Sequence, residues 1–296
     1  MRVTNKMSSD TITKELYKNQ QLLLEAQLRL STGKKINRVS DDPSGMRRVL
    51  DYRRILSSID QYNNNISHGK GRLQVTETAL EEIVDSLKQA KTLAIRFGSN
   101  QDPDKAQELI ESIYETIMDI GNTRFGDSYI FAGNAADTVP FTKDENWDAT
   151  YHGDDGDITV IVEDGVEVKT NATGQDVFDV GGVGGGVDVF AALSALRDAI
   201  IAGDHDAAMA QSSVIESAID QVETIATETS IYYGRLESSE NHLELYKANI
   251  EDMRSSTENI DTAQAILEFQ SQETAYTVCL ETASRMIQPS LIDFLK

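Results

Sequence analysis

The chain has 296 residues, 40% hydrophobic and only 6% aromatic, with a formal net charge of −22. That balance excludes partners recognised through a basic surface, nucleic acid and anionic membrane alike, because no basic excess exists to displace counterions from phosphates. The single cysteine, Cys279, excludes an intrachain disulfide and a cysteine-based zinc site, and reads as a small buried apolar residue.

The opening MRVTNKMSSDTITKEL has no apolar run of the kind a cleaved secretory signal needs. No stretch approaches the roughly 18 apolar residues of a membrane span, so no membrane insertion is expected. The first periodic segment is Ile12, Leu16, Asn19, Leu23, Ala26, Leu30, spaced alternately by four and three residues as in the seam of packed helices. It stops at Gly33, a natural helix-ending residue. Ser40 or Asp41 then caps a second helix, with Asp42 near its positive end and Pro43 in its first turn. That helix runs through Tyr52, Ile55, Ile59, Tyr62, Ile66, Leu73, Leu80, Ile83, Leu87, Ala90, Ala94 and Phe97, with Gly69 and Thr76 as its only interruptions. About 50 residues of helix span roughly 75 Å, which predicts a rod. The run GSNQDPD, 98–104, breaks it, with Asp102 as N-cap and Pro103 at the first position of a shorter helix through Leu109, Ile110, Ile113, Ile117 and Ile120.

The character changes at SYIFAGNAADTVPF. DITVIVEDGVEVKTN holds two β-branched runs around Glu-Asp-Gly and predicts a hairpin. Residues 136–190 hold 13 acidic and 2 basic side chains, about half of the whole charge excess. They read as a compact β-rich insertion closed by the flexible run VGGVGGGVDVF. Helix returns at VFAALSALRDAIIAG. A second long seam follows: Ile215, Ala218, Val222, Ile225, Thr229, Tyr232, Leu236, Ser239, Leu243, Tyr246, Ile250, Met253, Thr257, Ile260. Near Thr257–Ala263 the phase shifts, which marks a joint. The last seam is Ile266, Phe269, Glu273, Tyr276, Leu280, Ala283, Ile287, Ser290, Phe294.

The layout is symmetric about its middle, so the simplest packing is antiparallel, long helix against long and short against short. Residues 1–40 carry 8 basic and 3 acidic side chains and residues 257–296 carry 2 basic and 6 acidic, which favours the pairing of the ends. The expected fold class is therefore mainly α with a β-rich insertion. Residues 1–40 and 257–296 would be paired terminal coiled-coil segments, ordered only against neighbours. Residues 41–135 and 190–256 would be a helical rod, and residues 136–189 an acidic β-rich outer domain.

No catalytic, cofactor-binding or metal constellation is expected. Gly33-Lys34 lacks the spacing and the preceding strand of a phosphate loop. HGDDGD, 152–157, fails the calcium-loop spacing and reads as an acidic turn, although a calcium site of another type stays open. VGGVGGGV lacks the dinucleotide-binding register. The four histidines form no metal-ligand pair, and no nucleophile elbow is present. Asn65-Ile66-Ser67 and Asn171-Ala172-Thr173 fit the glycosylation pattern but are expected by chance at this length.

LSTGKKINRVSDDPSG resembles the N-terminal signature of the bacterial flagellin superfamily: leucine, Ser/Thr-Gly-Lys/Arg, an Ile-Asn pair, then Asp-Asp-Pro/Ala and a small residue. AYTVCLETASRMIQPSLIDFLK is similar to the family's ending. Three details resemble the hook–filament junction branch more than the filament subunits: the start MRVTNKM, the Asp-Asp-Pro form, and SYIFAGNAADTVPF. The resemblance covers both ends and the centre.

It implies a structural, non-enzymatic component of the bacterial flagellum, exported through the flagellar channel and placed extracellularly between hook and filament. The implied partners are copies of itself in a ring, the hook-side junction protein (hook-associated protein 1), flagellin on the distal side, and an export chaperone. The residues implied for assembly are Ile12, Leu16, Leu23, Leu30, Ile266, Phe269, Tyr276, Leu280, Ile287 and Phe294, with Gly33, Asp41, Asp42 and Pro43 as hinge and cap. Three alternatives stay open: a filament flagellin, an enzyme hosted in the insertion, and a cytosolic coiled-coil adaptor.

Overall fold

The computed structural model describes residues 2–97 and 102–287. Among them the chain is mainly α-helical with a small β insertion. The order is α1 (Arg2–Thr32), α2 (Pro43–Phe97), α3 (Pro103–Gly121), β1 (Arg124–Phe125), β2 (Ser128–Tyr129), β3 (Phe141–Lys143), β4 (Ala149–Tyr151), β5 (Thr159–Glu163), β6 (Val166–Lys169), α4 (Gly174–Phe178), α5 (Val189–Ala202), α6 (His205–Glu258) and α7 (Thr262–Ile287). The backbone divides into two compact units, one drawing on residues up to Ser58 and from Leu245 onward, the other on Ile59–Glu244.

In the Ile59–Glu244 unit, α2 and α6 run antiparallel. Lys70 meets Glu240 at 2.8 Å, Ser230 donates to Glu77 at 2.8 Å, Lys88 meets Glu223 at 3.2 Å and Lys91 meets Glu216 at 3.0 Å. The predicted seam lies between them: Ile66, Leu73, Leu80, Ile83, Leu87, Ala90, Ala94 and Phe97 are buried, as are Ile215, Ala218, Val222 and Leu236. The two interruptions have physical reasons. A Cβ on Gly69 would lie 2.9 Å from Thr170 Cγ2 and 3.1 Å from Leu236 Cδ1, so close approach outweighs the ~1 kcal/mol that glycine costs inside a helix. The buried Thr76 hydroxyl donates to the Arg72 carbonyl one turn back, at 3.0 Å.

Helix α3 packs on α5. Pro103 opens α3 as expected, but the Asp102 side chain makes no capping bond, and Leu109 is exposed beside the buried Ile110, Ile113, Ile117 and Ile120. The described strands form three separate two-stranded antiparallel ribbons rather than one sheet, and two of them, β3–β4 and β5–β6, lie in the predicted insertion. The predicted hairpin is β5–β6, which turns at Asp164-Gly165 and buries Val162 and Val168. An aromatic cluster ties the insertion to the helices: Phe178 stacks on Phe190 at 5.1 Å, Phe141 meets Phe178 edge-on at 4.7 Å, and Tyr114 meets Trp147 edge-on at 5.1 Å.

The glycine-rich run is not a free linker. The buried Asp179 carboxylate accepts from the amides of Gly184 at 2.7 Å and Gly186 at 2.5 Å, and Gln221 accepts from the Val187 amide at 2.8 Å. In the acidic turn, Asp154 accepts from the amides of Asn134 at 2.6 Å and Gly156 at 3.0 Å, and Asp157 pairs with Lys169 at 2.6 Å. Asn171 is buried, donating to the Gly156 carbonyl and accepting from the Ile158 amide, which removes it as a glycosylation acceptor. No helix among the described residues is long and apolar enough to cross a membrane.

Candidate assembly interface

The candidate site lies in the unit built from the two ends of the chain. Helices α1 and α7 pair with each other. On α1 the partly buried apolar side chains are Ile12, Leu16, Leu23, Ala26 and Leu30, the stripe that the spacing predicts. On α7 the stripe is Ala265, Phe269, Gln272, Tyr276, Cys279 and Ala283. Phe269 and Tyr276 stand where expected. Ile266 and Leu280 do not: both are exposed, one position off the stripe, and Gln272 and Cys279 take the inner places. The apolar pattern on α7 is two rows wide, and a period of 3.5 does not say which row turns inward. Ile287 is the last residue of α7, and Phe294 lies outside the described residues.

This pair leaves much apolar surface uncovered. Tyr17, Leu24 and Leu28 fall at helical spacing on the side of α1 away from its inner stripe, and Leu267 and Val278 do the same on α7. Full burial of a leucine contributes about 1.5–3 kcal/mol, and the inner leucines here are only half-buried. Single arginine–glutamate contacts such as Arg29–Glu268, 3.6 Å apart on the surface, add little.

The joint between the short and long helices is built from both chain ends. Gly33 has φ +67°, and its amide bonds back to the Arg29 carbonyl at 2.9 Å, ending α1 as predicted. The chain beyond it lies against the α6–α7 connection: Lys35 donates to the Glu258 carbonyl at 2.7 Å, and Ile260 donates to the Gly33 carbonyl at 3.1 Å. Glu258, 4% exposed, accepts from Lys34 and from Arg53, each at 2.6 Å. Burial pushes its carboxyl up, but the hydrogen bonds from Lys34 and Arg53 outweigh that and hold it below the ordinary glutamate range. Nothing local in the sequence marks Arg53 and Glu258, 205 positions apart, as partners.

The two aspartates divide their work differently from the expectation. Asp42, not Ser40 or Asp41, caps α2: its carboxylate accepts from the Gly45 amide at 2.9 Å and from the Ser44 amide and hydroxyl at 3.1 and 2.8 Å, with Pro43 as the first helical residue. Asp41 points back and closes the preceding loop through the amides of Arg38 at 2.8 Å and Asn37 at 3.0 Å. Those amides hold the Asp41 carboxyl below the usual aspartate range, and the Gly45 amide with the Ser44 hydroxyl does so for Asp42. Gly45 leaves room for this cap, because a Cβ there would displace the Asp42 carboxylate and the end of the buried Ile36 side chain.

The sequence matches the family model for the bacterial flagellin N-terminal helical region over residues 3–136. It is 29% identical to flagellin of Escherichia coli K12 over 178 residues, 58% of this chain and 36% of that protein. It is 24% identical to Bacillus subtilis 168 flagellin over 284 residues, 91% of this chain and 90% of that one. Identity to flagellar hook-associated protein 3 of Salmonella typhimurium LT2 is 22% over 184 residues, 60% of this chain and 57% of that one. The fold is shared with a Vibrio parahaemolyticus structure described as a flagellar hook-associated protein (TM-score 0.67, 24% identity, 74% of this chain and 100% of that one). It is also shared with the flagellar junction protein FlgL of Legionella pneumophila (TM-score 0.59, 14% identity, 73% and 100%). The chain is therefore similar in sequence to the bacterial flagellins, most of all in its N-terminal helical region, and shares its fold with the flagellar hook-associated proteins.

Proposed function

We propose that this chain is a structural adaptor of the bacterial flagellum that joins hook to filament. The observation that carries the reading is its likeness in fold to solved hook-associated proteins along their whole length. The terminal coil supports it: a marginal helix pair with uncovered apolar rows on both members suits a segment completed by neighbouring subunits. In this reading copies of the chain form a ring. Ile12, Leu16, Leu23, Leu30, Phe269 and Tyr276 order the coil, Ile266 and Leu280 meet neighbours, and Ile287 and Phe294 are further candidates for the same contacts. Hook-associated protein 1 lies on the hook side and flagellin on the filament side, and an export chaperone covers the C-terminal apolar rows beforehand. The role is mechanical, not enzymatic, and the acidic 136–189 segment faces solvent.

Deleting the gene tests this. The adaptor reading expects cells that keep hooks, lose filaments and shed flagellin into the medium. A second reading, that the chain is itself a filament flagellin, is favoured by its alignment with Bacillus subtilis flagellin along nearly all of both chains. It expects deletion to leave no shed protein of this kind, and purified chain to polymerise into long filaments.

A further inference from the structure

Four large apolar side chains in the unit formed by the chain ends face solvent on its long helices: Leu50 on α2, 55% exposed, and Leu245, Tyr246 and Met253 on α6, of which Leu245 is 69% and Met253 52% exposed. Their surroundings carry opposite charge. Leu50 lies three residues after Arg47 and four before Arg54, so all three share one outward face, away from the buried Val49 and Leu56. Arg47 and Arg48 make no ion pair among the described residues, and Arg54 reaches only the exposed Asp51, at 3.5 Å. Residues 33–58 hold 7 basic and 3 acidic side chains in a chain that carries 27 and 49 overall.

On α6 the inner row is Leu243, Lys247, Ile250 and Arg254, all at least half-buried. That turns both cations of this stretch away from the outer face and leaves Leu245, Tyr246 and Met253 there with Asp252 in line and Glu251 beside it. One face is therefore leucine rimmed by arginine, the other apolar rimmed by carboxylate. Like meets like unfavourably at either, whereas the two complement each other.

We propose that these faces are the two halves of one contact between copies of this chain: the Arg47–Leu50–Arg54 face of one copy seats on the Leu245–Tyr246–Asp252–Met253 face of the next. Because the halves differ, the contact is head-to-tail. Such a contact propagates from copy to copy into a ring or a helix, and does not stop at a two-fold dimer. An apolar centre with arginine and tyrosine at its edge is the composition that carries binding energy in such contacts. The inference deepens the adaptor reading and rests on its side-by-side copies, but it names residues that the reading leaves open.

The test uses the full-length chain in cells with Cys279→Ser as background. Leu50→Cys and Met253→Cys are introduced together, and isolated flagella are oxidised. The contact predicts a ladder of cross-linked multiples that neither single cysteine gives. Adding Arg47→Glu and Arg54→Glu should lower the ladder at least about tenfold, and further addition of Glu251→Lys and Asp252→Lys should restore it. Chain seated at the junction in normal amount without a ladder overturns the contact and leaves the adaptor reading intact. So does a ladder indifferent to charge reversal, or a cross-link from Leu50→Cys to a different protein. A charge-dependent ladder from chain found along the whole filament supports the contact and sinks the junction placement instead.

Discussion

Glu258 and Arg53 stand 205 residues apart in sequence, and their side chains meet at 2.6 Å beneath the joint of the terminal coil. Lys34 reaches the same carboxylate oxygen from the other side, also at 2.6 Å. A single carboxylate thus ties the end of α6 to the connection after α1 and to the first turns of α2.

Removing it should loosen the joint before it unfolds the chain. Breaking a fully buried pair costs about 3–5 kcal/mol, but Lys34 and Arg53 are nearly half-exposed and rehydrate, so Glu258→Ala should cost about 1–2 kcal/mol. Amide exchange should show it at Lys35 and Ile260, about tenfold faster per 1.4 kcal/mol, with little change at the core of the Ile59–Glu244 unit. Uniform acceleration throughout would contradict a local clasp.

The pH dependence has a defined sign. The folded Glu258 carboxyl sits below its ordinary value of 4.5, so the unfolded chain binds this proton first as pH falls. The clasp's contribution is complete above about 4.5 and is lost as pH drops through the lower folded value. The stability advantage of the natural chain over Glu258→Gln, measured by urea melts across acid pH, should shrink over that window. An advantage independent of pH would refute the assignment.

Two glycines of the joint should respond differently. Gly45→Ala drives a Cβ into the Asp42 cap and Ile36, and should cost about 1–3 kcal/mol for the overpacking plus about 1 kcal/mol for the disturbed cap in a thermal melt, more than Gly33→Ala. Gly33→Ala meets open space and carries only the left-handed backbone penalty of about 1–2 kcal/mol, so export or assembly should suffer more than the melting of the long helices. Pro43→Ala, which keeps the Asp42 cap, should behave like Gly33→Ala. Equal losses of thermal stability at Gly33 and Gly45 would argue against this division.

Arg72 is a buried guanidinium with no carboxylate partner among the described residues. Its Nη2 reaches the Tyr129 and Ile130 carbonyls at 3.3 and 3.4 Å, and its Nε has no partner among the described residues. Burial pushes its pKa down. Arg72→Met should leave Tm unchanged or raise it, because an isosteric apolar side chain avoids the desolvation cost. A loss of more than about 2 kcal/mol would mean that those carbonyl contacts matter more than their length suggests.

Much of the architecture was legible because it rests on periodicity. The α1 stripe from Ile12 to Leu30, the long seam from Ile59 to Phe97, the Asp164-Gly165 hairpin and the Gly33 stop all follow from local spacing and turn chemistry. The misplaced seam residues share one cause. Spacing identifies apolar rows but not which of two adjacent rows turns inward, and the aliphatic stems of Lys247 and Arg254 fill seam positions assigned to Tyr246 and Met253. Ile266 and Leu280 were misplaced in the same way. The Glu258 clasp and the Asp179 carboxylate that gathers the glycine run depend on tertiary contacts with no sequence period at all. In the proposed reading, the displaced apolar residues are the ones that meet neighbours.

The central claim is a place in the flagellum, and immunogold labelling of isolated hook–filament structures tests it most directly. The account predicts a single band of label where hook meets filament; label along the whole filament, or none on the flagellum, would contradict it.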